Sequence, residues 1–389
     1  MKAVVWQGVN QLAVEDVDEP LLLNDQDAIL RVRASATCGS DLHLIDGYIP
    51  SMRQGDILGH EFLGDVVETG PGVERLQVGD RVVVCSVIAC GRCWFCQQDL
   101  FSLCDDTNPN PAIGEALWGQ ACAGIFGYSH MTGGFAGSHA EYVRVPFADQ
   151  GCFLVPEGLD DDAAVYASDA VPTGWMGADN ADIRSGDVVA VWGAGGVGQM
   201  AARAALLMGA ERVVVIDRFP ERLRMTEEVI GAETLDYTAV DVHQVLLELT
   251  AGRGPDRCIE AVGMEAHDTG VAHAYDRAKQ ALRLHTERGT TLRQAIRACR
   301  KGGVVSVLGV FGGFLDKFPL GAAMNKGLTL RLGQQHGHRY IPMVLERMAA
   351  GDIPTGHLTT HPLPLDQAVQ GYELFKHKHD GCVRAVFHP

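Results

Sequence analysis

The chain has 389 residues, 47% hydrophobic and 21% charged, ordinary proportions for a globular protein with room for two cores. A formal net charge of −17 leaves no basic surplus to neutralise phosphates, which argues against a nucleic-acid partner. No stretch reaches the ~18 consecutive apolar residues of a membrane span, and the N-terminus MKAVVWQGVNQLAVEDV lacks the apolar run of a signal peptide, so a cytoplasmic protein is expected.

From residue 1 to about 155, short apolar alternations broken by Gly and Pro predict an antiparallel, barrel-like β region; examples are 28–32, 62–67 and Arg81-Val82-Val83-Val84. Near Asp187 the pattern changes. DVVAVWGAGGVG reads as a buried strand entering a glycine turn, followed by a helix over 199–208. ERVVVIDR is a second strand, 220 to about 230 a helix, and 257–262 and 304–310 two further strands. This alternation predicts a parallel sheet with helices on both faces. Leu292, Ala295, Ile296 and Cys299 share one helical face and mark a crossover helix, while the mixed polar run 264–288 reads as an excursion over a cofactor. From about 331 the chain returns to short strands and one helix. There is no internal repeat.

Eleven cysteines is an odd number, and four of them crowd together. Cys90, Cys93, Cys96 and Cys104, in a lobe spanning 88–106, follow C-x2-C-x2-C-x7-C. In a reducing compartment such crowding points to metal rather than disulfides. Four thiolates can close a tetrahedral shell around Zn²⁺ with no open position, which makes this a structural site; an iron–sulfur cluster is the rival reading.

Gly193, Ala194, Gly195, Gly196, Val197 and Gly198 spell G-x-G-x-x-G between a strand and a helix. Gly193 allows the tight turn, Gly195 lets backbone approach a pyrophosphate, and Gly198 permits close helix–strand packing. Asp217 ends the next strand, where a carboxylate accepts ribose hydroxyls and repels a 2′-phosphate, favouring NAD. Arg218 and Arg222 either cover the adenine or tolerate a phosphate.

Cys38 in TCGSDLH and His60 with Glu61 in GHEFLG each have a bland reading as core residues. Together with the cysteine lobe and glycine turn they suggest a second zinc, with thiolate, imidazole and one further ligand leaving a fourth position open. The motifs TCGSDLH, GHEFLGDVVETGPGV, VGDRVVV, CGRCWFCQQDLFSLC, GGFAGSHAEYVRVP and VWGAGGVG, in this order across nearly the whole chain, resemble the zinc-containing medium-chain alcohol dehydrogenase family. The resemblance implies a Rossmann doubly wound α/β domain inserted in a mainly-β GroES-like catalytic domain, with expected boundaries 1–170, 171–330 and 331–389. It implies a catalytic zinc on Cys38 and His60, Glu61 beside it as a transient ligand, two zinc ions per chain, NAD, and a homo-oligomer, dimer or tetramer.

Many members place a cysteine as the third ligand shortly before the glycine strand. Here YASDAVPTGW puts Asp169 there, which resembles the glutathione-independent formaldehyde dehydrogenase and dismutase branch. The implied chemistry is hydride transfer from a small alcohol or hydrated aldehyde, with Ser40 and His43 relaying the proton outward and Asp41 supporting the metal site. A polyol or amino-alcohol dehydrogenase of the same architecture and a non-catalytic NAD-binding protein are the alternatives. Trp118, Phe126 and Phe135 are among the side chains expected to bear on pocket size.

Overall fold

In the strand Ala28–Ala36, Leu30 and Val32 point into a core while Arg31 and Arg33 point out, the two-residue alternation of a half-buried sheet. The computed structural model describes residues 1–265 and 289–389 and divides into two compact units, Met1–Pro172 with Gln335–Pro389, and Thr173–Gln334. In the first unit a seven-stranded sheet runs Cys152–Leu154, Arg81–Val84, Glu61–Thr69, Ala28–Ala36, Arg384–His388, Thr359–Pro364, with Tyr142–Val145 also paired to Ala28–Ala36. All its pairings are antiparallel except that between the last two strands of the series. Phe62, Val66, Val82, Val84, Phe126 and Val143 fill the core beneath it.

Register sets up the site. Ala36 lies opposite Glu61, and Ala36 also pairs Val386 on the other side. The next residues, Thr37 and Cys38, therefore emerge between His60 and Arg384. The helix Gly39–Ile45 begins at once, with Asp41 closing its first turn by accepting the Cys38 N–H at 2.8 Å.

The second unit is a six-stranded sheet in the spatial order Glu233–Asp236, Arg212–Asp217, Val188–Trp192, Arg257–Glu260, Val304–Val307, Thr329–Leu332, every pair parallel. Numbered along the chain this is 3-2-1-4-5-6, the order of a dinucleotide-binding fold. Val189 to Trp192 are all buried, because helices cover both faces of a parallel sheet. The fold class is thus as expected.

Several details differ from expectation. The C-terminal return carries two longer helices rather than one, Gly337–Ala349 and Ala368–His377, and Pro342 inside the first weakens its helical signal. Over 220–230 the α-helix stops at Met225 and continues as a π turn, Thr226–Ile230. Cys299 caps the helix Thr290–Ala298 rather than lying within it. Phe126 is a core residue, edge-on to Phe62, while Trp118 is exposed at a helix end. Gly263–Glu265 forms a short 3-10 turn, and the rest of the expected excursion over 264–288 lies outside the described residues. Among the described residues no helix is long and apolar enough to cross a membrane.

Candidate functional site

The four cysteines of the lobe come together, their sulfurs all within 4.8 Å of one another. Cys90 and Cys96 sulfurs are 3.9 Å apart and those of Cys93 and Cys104 3.8 Å. A disulfide needs about 2.05 Å. Tetrahedral bonds of about 2.3 Å to one ion place sulfurs about 3.8 Å apart, so the shell fits a single zinc-sized cation. A multinuclear cluster, with each thiolate on a different iron, would hold them further apart. Backbone N–H groups of Arg92 and Cys93 point at the Cys90 sulfur, at 3.4 and 3.3 Å, and that of Cys90 at Cys104, at 3.4 Å. Burial pushes the Cys90 thiol up to about 12. Cys93 is less enclosed; burial opposes its ionisation, but the N–H groups of Cys96 and Asp105 bring it down to about 7. None of the eleven cysteines forms a disulfide.

A second group forms where the strand ends meet. Ligand atoms of Cys38, His60 and Glu61 lie within 4.8 Å of one another, all buried. The Ser40 hydroxyl is 3.3 Å from both Cys38 Sγ and His60 Nε2, so it sits at the edge of the same space. His60 Nδ1 faces Asp41 Oδ1 at 3.1 Å, which turns Nε2 toward that space. Burial alone would raise the Cys38 thiol, but the His60 and Arg384 charges more than offset this and leave it at about 6. Burial would lower His60, yet the Asp41 carboxylate and Cys38 hold it well above its usual value. Burial lifts Glu61, only partly offset by Arg384, whose Nη1 lies 3.2 Å from Oε1. Neither Glu61 oxygen has an aligned hydrogen-bond donor among the described residues. A buried thiol that ionises readily, an imidazole nitrogen and an under-coordinated carboxylate form a donor set that fits zinc.

Asp169 is not in that converging group. It stands between the 3-10 turn Val165–Ser168 and the helix Ala170–Asn180, with Oδ2 accepting from Ser86 Oγ at 2.5 Å and from Gln335 Nε2 at 3.4 Å. Its charge still bears on Cys38 and Glu61. His43 lies one turn beyond Ser40 on the helix Gly39–Ile45 and is 2% exposed.

Sequence reasoning missed Arg384, Gln335, Ser86 and Tyr372. Arg384 alone left a trace, as a charge inside the apolar run CVRAVF. Gln335 and Tyr372 are far from the motifs in sequence and have unremarkable neighbours.

In the second unit the glycine turn is built as its spacing implies. Gly193 has φ +102, and a Cβ there would meet Ala261 O at 3.0 Å and Val262 Cγ2 at 2.9 Å. A Cβ on Gly198 would fall 1.8 Å from Gly193 O. Gly195 caps the helix Gly196–Leu207, whose first turn carries Val197, and the space over it is open up to the Arg222 guanidinium at 3.8 Å. Asp217 Oδ2 accepts the Ala194 N–H at 2.7 Å and Oδ1 the Arg218 N–H at 2.6 Å, so the carboxylate is fixed against the turn. Oδ1 also receives the Phe219 N–H at 3.4 Å, and Oδ2 keeps a second acceptor direction. Arg218 and Arg222 both stack on Phe219, at 4.9 and 5.1 Å from its centroid.

Residues 24–157 match the alcohol dehydrogenase GroES-like domain and residues 196–282 the zinc-binding dehydrogenase family. The chain is 39% identical over 392 residues to an uncharacterized zinc-type alcohol dehydrogenase-like protein, AdhB, of Bacillus subtilis (strain 168), covering 100% of both chains. It is 31% identical over 402 residues to a formaldehyde dismutase of Pseudomonas putida, covering 96% of this chain and 94% of that one. Among solved structures it resembles alcohol dehydrogenase TADH from Thermus sp. ATN1, with a TM-score of 0.84, 35% identity, and 100% and 99% of the two chains covered.

Proposed function

The chain belongs to the zinc-type alcohol dehydrogenase family and is an oxidoreductase of that type; on that premise we propose that it moves hydride between a small alcohol or hydrated, formaldehyde-like aldehyde and NAD. The observation that carries this reading is the buried meeting of Cys38, His60 and Glu61 beside the Ser40 hydroxyl.

Cys38 and His60 would hold the catalytic zinc, with Glu61 or Asp169 as the carboxylate ligand, and Cys90, Cys93, Cys96 and Cys104 a structural zinc. Zinc bound at the first site supplies a Lewis acid that lowers the pKa of a substrate hydroxyl. Ser40 Oγ accepts the substrate's proton, and His43 on the same helix takes it onward. Burial of the surrounding side chains excludes bulk water, which strengthens each of these contacts. In the second unit Gly195, Gly196, Val197 and Gly198 present N–H groups to the NAD pyrophosphate, and Asp217, held by Ala194 and Arg218, accepts the adenosine ribose hydroxyls. Arg222, over the turn, adds a cation to the phosphates, and Arg218 and Phe219 flank the adenine.

The edge strand Thr329–Leu332 is paired on one side, with Leu332 63% and nearby Met324 79% exposed, which supports a homo-oligomer formed through this unit.

Turnover of formaldehyde, short alcohols and polyols, with NAD and with NADP, tests the reading. Preference for secondary polyols with no turnover of short aldehydes would favour the polyol alternative. Zinc analysis of Asp169→Ala and Glu61→Gln identifies the third ligand: the true one loses one of two zinc ions.

A further inference from the structure

Behind His60 a buried file of polar groups runs through parts of the chain far apart in sequence. Asp41 Oδ1 faces His60 Nδ1 at 3.1 Å, and Asp41 Oδ2 accepts the Tyr372 hydroxyl at 2.9 Å. Tyr372 Oη lies 2.8 Å from His139 Nε2, His139 Nδ1 lies 2.7 Å from Ser35 Oγ, and Ser35 Oγ lies 2.8 Å from Ser138 Oγ. His60, Asp41, Tyr372, His139, Ser35 and Ser138 are all buried, none more than 4% exposed.

The donor directions along this file are forced. A carboxylate has no proton to give, so Tyr372 donates to Asp41. The phenol has a single hydrogen, so its oxygen must accept from His139 Nε2–H. A neutral imidazole then offers Nδ1 as acceptor, so Ser35 donates to it and in turn accepts from Ser138. Burial pushes the His139 imidazole down to about 4, in keeping with a neutral ring. Its packing also points to a built position. Gly59, the residue before His60, has φ +99, and a Cβ there would come within 2.6 Å of the His139 ring. The ring is further boxed edge-on by Phe387 at 4.9 Å and Tyr372 at 5.7 Å.

We propose that Tyr372 and His139 are positioning residues for the catalytic metal site, holding Asp41 so that His60 keeps its Nδ1–H tautomer and presents Nε2 to the metal. Every hydrogen bond in the file points its donor toward Asp41, so each link polarises the next. Asp41 thereby accepts two hydrogen bonds at Oδ2, from the Cys38 N–H and the Tyr372 hydroxyl, and keeps Oδ1 facing His60 Nδ1. The inference rests on the zinc site proposed above at Cys38 and His60.

The test is zinc binding by the full chain, read by competition with a graded series of chelators, with the visible spectrum of the cobalt-substituted protein as a second readout. Tyr372→Phe removes only the hydroxyl. It is expected to weaken the more labile of the two zinc ions by roughly 10- to 100-fold, the usual effect of losing a group that orients a metal ligand. The four-cysteine zinc should be retained and the cobalt bands of the weaker site shifted. His139→Gln, whose amide can both donate and accept, should bind the labile zinc more tightly than His139→Phe. The double variant Tyr372→Phe/His139→Phe should be no weaker than Tyr372→Phe, because both act through Asp41. Wild-type affinity and an unchanged cobalt spectrum in Tyr372→Phe would overturn the inference while leaving the metal site standing. A wild-type chain that binds one zinc only would overturn the site itself.

Discussion

His338 offers a sharp test of how burial governs the catalytic unit. Its ring stacks on Phe101 of the cysteine lobe at 4.8 Å and meets the edge of Phe153 at 6.1 Å. Neither ring nitrogen has a hydrogen-bond partner among the described residues. Burial, with a smaller push from His336, lowers the imidazole from 6.5 to about 3. The folded pKa is depressed, so the stability this neutral ring carries is complete above about 6.5 and is lost as pH falls toward about 3. At pH 5.0 the unfolded chain has taken up the proton and the folded chain has not. The gap is about 1.5 pH units, worth about 2 kcal/mol at ~1.36 kcal/mol per unit. His338→Phe keeps an aromatic ring against Phe101 and cannot titrate. Urea unfolding of the zinc-loaded protein at pH 7.5 and 5.0 should therefore show the wild type losing about 2 kcal/mol more than His338→Phe between the two pH values. Comparing the two proteins cancels the carboxylates and thiols they share. Equal losses would refute the claim that His338 is held neutral by its surroundings.

Three further outcomes are expected. Cys104→Ser should reduce zinc from two ions per chain to one and lower the melting temperature, since a structural site stabilises its lobe directly; metal analysis and calorimetry check this. Gly198→Ala places a methyl 1.8 Å from Gly193 O, which no rotamer can relieve; the helix must shift, costing about 1–3 kcal/mol and weakening NAD binding in titration calorimetry. Arg384→Met leaves the fully buried Glu61 without its cation and should destabilise the protein by about 3–5 kcal/mol in chemical denaturation, whereas Glu61→Gln/Arg384→Met should recover part of that loss.

Features carried by local spacing are legible in the sequence alone. Cys90, Cys93, Cys96 and Cys104 lie within fifteen residues, and so short a segment has few ways to arrange its thiols other than around one centre. Gly193 and Gly198 are five residues apart across a single turn, so their spacing already implies the contact between the Gly198 backbone and Gly193 O. The parallel sheet with helices on both faces followed from alternating apolar runs and helical faces, but its strand order did not. Residues without a local partner were not legible. Tyr372 reaches Asp41 across 331 positions, and Gln335 reaches Ser86 across 249. Neither residue type advertises such a role. The surroundings of the two carboxylates depend on the same thing. Strand register brings Glu61 beside Cys38, while Asp169 hydrogen-bonds Ser86 and Gln335, partners that its place in the sequence does not reveal. Sequence determines which donors exist and which neighbours share a turn. Only the packed sheet, by fixing register and burial over long separations, decides which of them meet and at what charge.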